Sequence, residues 1–421
     1  MKEKITNIGI PLALLLLVLA LVTTALIKHN SQVKDDAVAV TVPIELNASE
    51  TARNTSIGLI VTVGNENAEG SEWNQAASGA KVAVERFNRS GANITLVTED
   101  DRGTAEGAVR AVESLAGQNV SGIVFASRGE HTQQALQAAQ EHGIPVIMPY
   151  EESGYGAWSL RPLNDAMRDV LEQHNASSTR VVRIDQEDFS GVAVPAEETL
   201  TVNASTDLGQ LAREVTDATA EQGDSATVVI NASSYMQARL VKALQESGTR
   251  AKIVLGYEAT SPTFSEAFMQ DNDSTVINAL SMGFNTSDAV ALQADGQGRS
   301  MSAFLQMVRI LNETPTATNA LGDQKFSDVA HAADSRSHDA VVALVRATER
   351  ASSAAPEDVR ESLATLDLSA SDGVTGPNLD FSSTYAVAAS PIMLSPTVGD
   401  VEIRNPSAPD YQHIIWFNNG D

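Results

Sequence analysis

Charged and hydroxyl-bearing side chains follow several apolar runs of this sequence, at points where they could bind a small charged molecule. A carboxylate at the end of a strand suits a cation, because it can accept charge-assisted hydrogen bonds. Neighbouring carboxylates could instead perform acid–base catalysis if their environments separate their pKa values. The side chains in question are Ser127, Glu151, Glu152 and Glu258.

Residues 120–153 are predicted to form one strand–helix–strand unit. A short apolar run is followed by Ser127 and Glu130, which have the Ser-x-x-Glu spacing of a helix-capping box. Ser127 could therefore cap the helix, bind an anion together with the backbone of Arg128 and Gly129, or do both. In an open parallel sheet, ligands bind outside the carboxyl ends of the strands, which makes this loop a candidate binding site.

The rest of the chain supplies the elements that position these residues. From residue 56 onward, apolar runs of strand length alternate with segments that have helical periodicity, and a second series of the same kind begins after Trp158. Repeated βα units predict parallel sheets that are covered by helices on both faces. The predicted fold class is therefore α/β, with two doubly wound parallel-sheet lobes.

The predicted lobes are each built from two stretches of the chain. The N-terminal lobe comprises residues 56–160 and 285–366, and the C-terminal lobe comprises residues 161–284 and 367–421. Two similar lobes behind an export signal suggest a receptor that closes over a ligand, with hinges where the chain crosses between the lobes.

The amino terminus predicts a membrane location. Lys2 and Lys4 precede an uncharged apolar run at residues 8–27, which is about as long as a membrane-spanning helix requires. We interpret residues 1–28 as an uncleaved anchor, with everything after Lys28 outside the cell membrane. If the segment is a cleaved signal instead, the protein is secreted. Residues 29–55 are predicted to be a stalk.

Composition excludes several classes of function. The formal charge of −26, from 54 acidic and 28 basic residues, disfavours nucleic acid and anionic membrane surfaces as partners. The chain contains no cysteine, so it has neither a disulfide nor a thiolate. The seven histidines lack metal-site spacing, and neither a nucleophile elbow nor a phosphate-binding loop is present. The sequence therefore predicts no metal, no cofactor and no enzyme.

The sequence resembles the leucine/isoleucine/valine-type solute-binding proteins of ABC transporters, which have the type I periplasmic binding protein fold. The resemblance extends over residues 56–381, and it depends on the order and spacing of several motifs. These are IGLIVTVG and ASGAKVAVERFN within residues 57–88, LVTEDDRGTAEGAV at 96–109, GIPVIMP at 143–149, HDAVVALVRA at 338–347 and DGVTGPNLDF at 372–381.

The resemblance implies a role for residues at the strand ends. Ser127 matches a hydroxyl that holds the ligand's α-carboxylate, and Glu258 matches the acid that receives its α-ammonium. Tyr150 and Glu152 stand where the family has small and hydroxyl-bearing residues. Because Glu152 and its neighbour Glu151 would repel a bound carboxylate, the ligand could be a cation or an amide, the site could be displaced, or the pair could lie in a solvated hinge loop.

Three further residues are implied as lining of the cleft. Phe189 matches an aromatic residue that packs over the ligand. Trp73 either lines the side-chain pocket or packs against the neighbouring loop. Ser233 follows a strand of the second lobe and could line its wall.

The predicted function is an extracytoplasmic solute-binding protein that delivers a small polar ligand to the permease of an ABC transporter. A sensing or regulatory ectodomain that acts through a partner subunit is the alternative with the same fold. An exported enzyme that uses Glu151, Glu152 and Glu258 is an alternative from a different class.

Overall fold

A computed structural model of the chain describes residues 43–64, 70–270, 276–400, 404 and 412–418. The predicted anchor at residues 1–28 lies outside these residues. Within the described ranges, no helix is both long and apolar enough to cross a membrane.

The last part of the predicted stalk packs onto the protein. Leu46 and Ala52 are buried, and the backbone N–H of Leu46 donates to the carbonyl of Arg86 at 3.0 Å. The N–H of Ser49 donates to Glu349 at 2.8 Å. This differs from the predicted stalk, because residues 46–52 are held by contacts distant in sequence.

The first sheet has five parallel strands. Its apolar strands are buried because helices cover both of its faces. The strands are β1 (Ser56–Val61), β2 (Thr95–Asp100), β3 (Gly122–Phe125), β4 (Val146–Met148) and β5 (Trp158–Ser159). Their order is β2-β1-β3-β4-β5, which is a doubly wound arrangement. The register places Ile57 of β1 opposite Leu96 of β2 and Gly122 of β3.

Helices of the first half pack against this sheet, and one of them has a side-chain cap. Thr104 accepts a hydrogen bond from the N–H of Gly107 and so caps the second helix. The helices are α1 (Ser78–Arg89), α2 (Ala105–Gly117) and α3 (Thr132–Glu141).

The second sheet repeats the arrangement. Its strands are β6 (Arg180–Gln186), β7 (Glu198–Val202), β8 (Ala226–Asn231) and β9 (Lys252–Leu255), in the parallel order β7-β6-β8-β9. Its helices are α4 (Asn164–Asn175), α5 (Leu208–Thr219), α6 (Ser234–Glu246) and α7 (Pro262–Met269). The two sheets with parallel strands confirm the predicted α/β fold.

The chain then returns to the first sheet. The helices of this part are α8 (Gly296–Glu313), α9 (Phe326–Val329), α10 (Ser335–Arg350) and α11 (Pro356–Leu363). Helix α10 packs closely on α1 at Gly79, where a Cβ atom would lie 1.8 Å from the carbonyl oxygen of Asp334. A larger residue at position 79 would therefore force these two helices apart.

The carboxyl-terminal part adds antiparallel strands. Strands β11 (Asp367–Leu368) and β12 (Leu379–Asp380) pair with each other, and β10 (Ser281–Gly283), β13 (Ile392–Asp400) and β14 (Gln412–Phe417) form a separate sheet. The indole of Trp158 in β5 donates to the carbonyl of Phe381 at 2.9 Å. The stretch around Phe381 therefore contacts the first sheet, although the sequence places residues 367–421 in the C-terminal lobe.

Candidate functional site

The cleft between the carboxyl ends of the two sheets is centred on the side chain of Arg128. This residue is only 5% exposed. Its guanidinium nitrogens lie 3.9 Å from Glu72, 3.8 Å from Glu151 and 3.3 Å from Glu258. We call these three glutamates the carboxylate cage, and it draws on both sheets.

Arg128 also contacts the loop that follows β6. Its Nη2 donates to the carbonyl of Ser190 at 3.0 Å, and its Cζ lies 4.7 Å from the centre of the Phe189 ring. A guanidinium over an aromatic face is a favourable cation–π contact. The predicted site residue Phe189 therefore covers an arginine of the protein itself.

Ser127 does not cap the helix that follows it. Helix α3 begins at Thr132, and its N-cap residue His131 makes no side-chain cap hydrogen bond. The Ser127 hydroxyl instead lies 2.6 Å from Oγ1 of Thr62 and 3.2 Å from Nε2 of His131. The capping interpretation is therefore wrong, because the helix begins too far along the chain for this side chain to reach its first N–H groups.

The backbone after Ser127 binds a side chain of the protein itself. The N–H of Gly129 donates to Oε2 of Glu151 at 2.8 Å. The backbone of Gly129, which is predicted to bind a ligand's carboxylate, contacts the side chain of Glu151 instead. Glu258, which is predicted to bind a ligand's ammonium group, contacts the guanidinium of Arg128 instead.

The neighbouring Glu152 lies further out. Its side chain is 38% exposed, against 13% for Glu151, and it lies 3.1 Å from Nη1 of Arg161. It also accepts a hydrogen bond from Asn164. Arg161 lies 3.6 Å from Glu151 as well. Glu151, rather than Glu152, thus contacts Arg128.

Burial changes the protonation of one member of the cage. Desolvation raises the pKa of Glu72 to about 7, although Arg128 and the N–H of Gly70 act in the opposite direction. Gly70 has a φ of 91°, and a Cβ atom there would lie 2.4 Å from the hydroxyl of Ser127. The glycine thus permits the close approach of the Glu72 loop to the Ser127 loop.

An aromatic cluster forms the floor of the cleft. Trp73 and Tyr150 are stacked with ring centroids 4.3 Å apart, and Tyr257 lies 5.8 Å from Trp73. The Cζ of Arg336 lies 4.8 Å from the Trp73 ring and 5.0 Å from the Tyr150 ring. The sequence left open whether Trp73 lines the side-chain pocket or packs against a neighbouring loop. Its contacts with Tyr150, Tyr257 and Arg336 are packing contacts. Burial raises the pKa of both tyrosines, so both stay neutral.

The sequence did not single out Arg161, Tyr257, Asp334 or Arg336. Arg336 donates to Asp334 at 2.9 and 2.7 Å, and it also donates to the hydroxyl of Tyr257. Asp334 is the N-cap of α10. An aspartate just before a long apolar helix is a signal that could have marked this position.

Ser233 is a helix cap. It precedes α6 and accepts from the N–H of Met236 at 3.4 Å, while its hydroxyl donates to Gln186 at 3.0 Å. Its described hydrogen bonds include no contact with the carboxylate cage.

Little open space remains beside Arg161 and Glu258, where the described residues enclose about 10 Å³. That is about the room that a single water molecule needs.

A larger cavity of about 100 Å³ lies beyond Tyr257 and is lined by Ser261, Phe284, Ser287 and His413. Burial and nearby Arg404 lower the pKa of His413 to about 4, so this imidazole is neutral at pH 7. Across the described ranges, no cluster of three or more His, Asp or Glu side chains could hold a metal ion.

The fold is shared with solved structures of substrate-binding proteins. One from Desulfitobacterium hafniense, in complex with Leu, has a TM-score of 0.58 at 15% identity and is matched over 81% of this chain and 96% of its own. The branched-chain amino acid transporter protein LivJ from Streptococcus pneumoniae, in complex with isoleucine, has a TM-score of 0.57 at 17% identity, over 86% and 99%. A substrate-binding periplasmic protein from Ralstonia solanacearum has a TM-score of 0.59 at 16% identity, over 86% and 99%.

Curated protein sequences contain no significant match to this chain. The sequence profile described as "Periplasmic binding protein" matches residues 55–394. That range covers both sheets, the carboxylate cage and the aromatic cluster. The resemblance inferred from the sequence motifs is thereby confirmed, and the chain belongs to the periplasmic binding protein family.

Proposed function

We propose that this protein is an extracytoplasmic solute-binding protein, which captures a small polar ligand between its two lobes and delivers it to an ABC transporter permease. The ligand would be an amino acid or a related amide or amine. Family membership supports the proposal, as do the leucine and isoleucine bound by the two structural relatives.

The main support for the proposal is that carboxylates from both lobes lie within 4 Å of the same guanidinium group. Glu72 and Glu151 come from loops of the first sheet, Glu258 comes from the end of β9, and one guanidinium lies between them. Groups placed in this way can bind one small charged molecule from both sides at once. A ligand that binds the closed form more tightly than the open form shifts the equilibrium towards the closed form. The size of the shift is set by the ratio of the two affinities.

A thermal-shift screen of the purified protein tests the proposal. The library comprises amino acids, amides, polyamines and short peptides. A ligand that binds only the folded state at a hundredfold excess over its dissociation constant stabilises the protein by about 2.7 kcal/mol. Glu258→Ala should abolish a hit, whereas Glu106→Ala should leave it unchanged, because the Glu106 side chain is 91% exposed on α2.

A flat response from protein that is folded by circular dichroism would count against the proposal. Recovery of a chemically altered ligand after incubation would favour the exported enzyme instead. We propose that no catalysis takes place, since Glu151 and Glu258 each have an arginine partner within 4 Å and are therefore suited to binding charge.

Membrane anchoring by residues 1–28 is also part of the proposal. Lys2, Lys4 and the apolar run at 8–27 support it. The full chain should sediment with membranes and resist extraction at high salt, whereas a chain beginning at residue 43 should not. Equal extraction of both would contradict an uncleaved anchor.

A sensing ectodomain is the second candidate. It is favoured by the filled state of the cleft, because a receptor whose cleft contains its own side chains can close without a solute. A partner subunit that binds equally with and without the best thermal-shift ligand would support this alternative.

A further inference from the structure

We propose that Arg128 is a built-in occupant of the cleft, which holds the two lobes together in the absence of solute, and that the solute that replaces it carries a guanidinium or primary ammonium group. This inference rests on the proposed function, and it adds the residue that determines specificity and the chemical class of the ligand.

The contacts of Arg128 are those of a bound ligand. The side chain leaves the first sheet after β3 and is buried, and of the three glutamates in the cage it lies closest to Glu258 of the second lobe, at 3.3 Å. It donates to Ser190 and lies under Phe189, which both belong to the second lobe. The occupant therefore connects the lobes in the same manner as a solute between them would.

The charge of the cleft determines what can replace Arg128. With Arg128 in place, the three glutamates of the carboxylate cage are opposed by the guanidinium groups of Arg128 and Arg161. Without Arg128, Arg161 is the only cationic side chain of the described residues that lies within 4 Å of any of them. Buried carboxylates without a partner are costly, so the cage favours a cationic occupant over a neutral one.

The anionic side of the site supports the same conclusion. The N–H of Gly129 already binds the carboxylate of Glu151 at 2.8 Å. A solute therefore needs no carboxylate of its own to satisfy this group. Agmatine, which has a guanidinium, a primary amine and no carboxylate, is consequently a suitable probe.

Self-occupancy lowers the apparent affinity for a solute. A ligand that binds only when Arg128 has left the cage has its affinity reduced by the fraction of time that the cage is free. If the cage is free for at most about a tenth of the time, removing the Arg128 side chain should tighten binding about tenfold or more.

Isothermal titration calorimetry on the full chain tests the inference. The probes are agmatine, L-arginine, its uncharged analogue citrulline, and leucine, and the variants are Arg128→Ala and Arg128→Lys. Arg110→Ala is the matched control, since it removes one arginine charge from a side chain that is 60% exposed on α2. We expect Arg128→Ala to bind agmatine or arginine about tenfold or more tightly than the wild type, with Arg128→Lys and Arg110→Ala close to wild type.

Two outcomes would overturn the inference while leaving the proposed function intact. One is a loss of cation binding in folded Arg128→Ala, which would mean that Arg128 itself binds the solute. The other is equal binding of leucine by wild type and Arg128→Ala, with no binding of agmatine or arginine. If no compound of the broader screen binds either protein, the proposed function fails as well.

Small-angle X-ray scattering provides a readout that does not depend on choosing the right solute. Ligand-free wild type and Arg110→Ala should have the same radius of gyration. Ligand-free Arg128→Ala should be larger, and agmatine should return it to the wild-type value. An unchanged radius in ligand-free Arg128→Ala would show that Arg128 does not hold the lobes together.

Discussion

The guanidinium of Arg128 lies 3.3 Å from the carboxylate of Glu258, although one residue follows β3 of the first sheet and the other follows β9 of the second. Both side chains are almost completely buried. An ion pair in such surroundings is weakly screened by solvent and by salt, so its strength depends on the distance between the lobes. The attraction between Arg128 and Glu258 therefore stabilises the arrangement in which the two lobes are close together.

The Arg128–Glu258 pair should show a measurable coupling energy. In a double-mutant cycle with Arg128→Gln and Glu258→Gln, the free energies of unfolding from urea titrations should be coupled by about 1 to 3 kcal/mol. The exposed helical pair Arg309–Glu313 is the control, and its coupling should be about 0.5 kcal/mol or less. Equal coupling for the two pairs would mean that the buried pair contributes nothing specific.

Glu72 should make the stability depend on pH. Burial raises its pKa from 4.5 to about 7, against the opposing charge of Arg128, while the neighbouring carboxylate of Glu258 adds to the rise. Because the folded-state pKa is the higher one, the stabilisation is complete below about pH 4.5 and is lost as the pH rises to about 7.

The comparison of wild type with Glu72→Gln isolates this contribution. The glutamine resembles the protonated acid at every pH, so other titrating groups cancel in the difference. The free energy of unfolding of the wild type, relative to Glu72→Gln, should fall by up to about 3 kcal/mol between pH 4.5 and 8. A difference that is constant over this range would show that Glu72 has an ordinary pKa.

Trp73 should be important for stability because its ring is completely buried in the aromatic cluster. It stacks on Tyr150 at 4.3 Å and supports Arg336 at 4.8 Å. We expect Trp73→Ala to lower the free energy of unfolding by about 3 to 5 kcal/mol and Trp73→Phe to cost less. Leu292→Ala is the control, since Leu292 is 86% exposed. Similar values for Trp73→Ala and Leu292→Ala would contradict the packing seen here.

The fold was predictable from the sequence where periodicity is strong. The apolar run at residues 226–231 predicts a strand, and the helical periodicity at residues 337–351 predicts a helix. The structure has a strand at Ala226–Asn231 and helix α10 at Ser335–Arg350, because both segments have continuous apolar faces. Strand β7, in contrast, was not predicted. Its first four residues alternate between partly buried and exposed positions at the edge of the sheet, and only Val202 is fully buried, so the strand lacks a continuous apolar run.

The site was predictable only in part, because its contacts join residues that are distant in sequence. The sequence marked Ser127, Arg128 and Glu258 as candidates, but it gave no indication that Arg128 would point at Glu258. The Ser127 hydroxyl contacts Thr62, which is 65 residues away along the chain. Such pairings depend on how the loops meet at the sheet edges, and local patterns do not encode that information.

Asp339 should be essential for holding the segment around Thr375 and Gly376 against helix α10. Its carboxylate accepts hydrogen bonds from the N–H groups of Thr375 and Gly376 at 2.9 and 2.8 Å, and Nδ1 of His338 lies 2.8 Å away. Burial lowers the pKa of His338, so the imidazole is neutral at pH 7, and its Nδ1–H donates to Asp339 while Nε2 accepts from Arg86 at 2.9 Å.

Asp339→Ala should lower the free energy of unfolding by about 3 to 5 kcal/mol, because several buried donors lose their charged partner together. Asp339→Asn keeps the shape and one acceptor oxygen, so its cost should be smaller, at about 1 to 3 kcal/mol. Asp224→Asn, on a side chain that is 75% exposed, should be close to wild type. Urea titrations of the three variants measure these values. If Asp339→Ala cost no more than Asp224→Asn, the buried hydrogen bonds of Asp339 could not be what holds the Thr375 segment against α10.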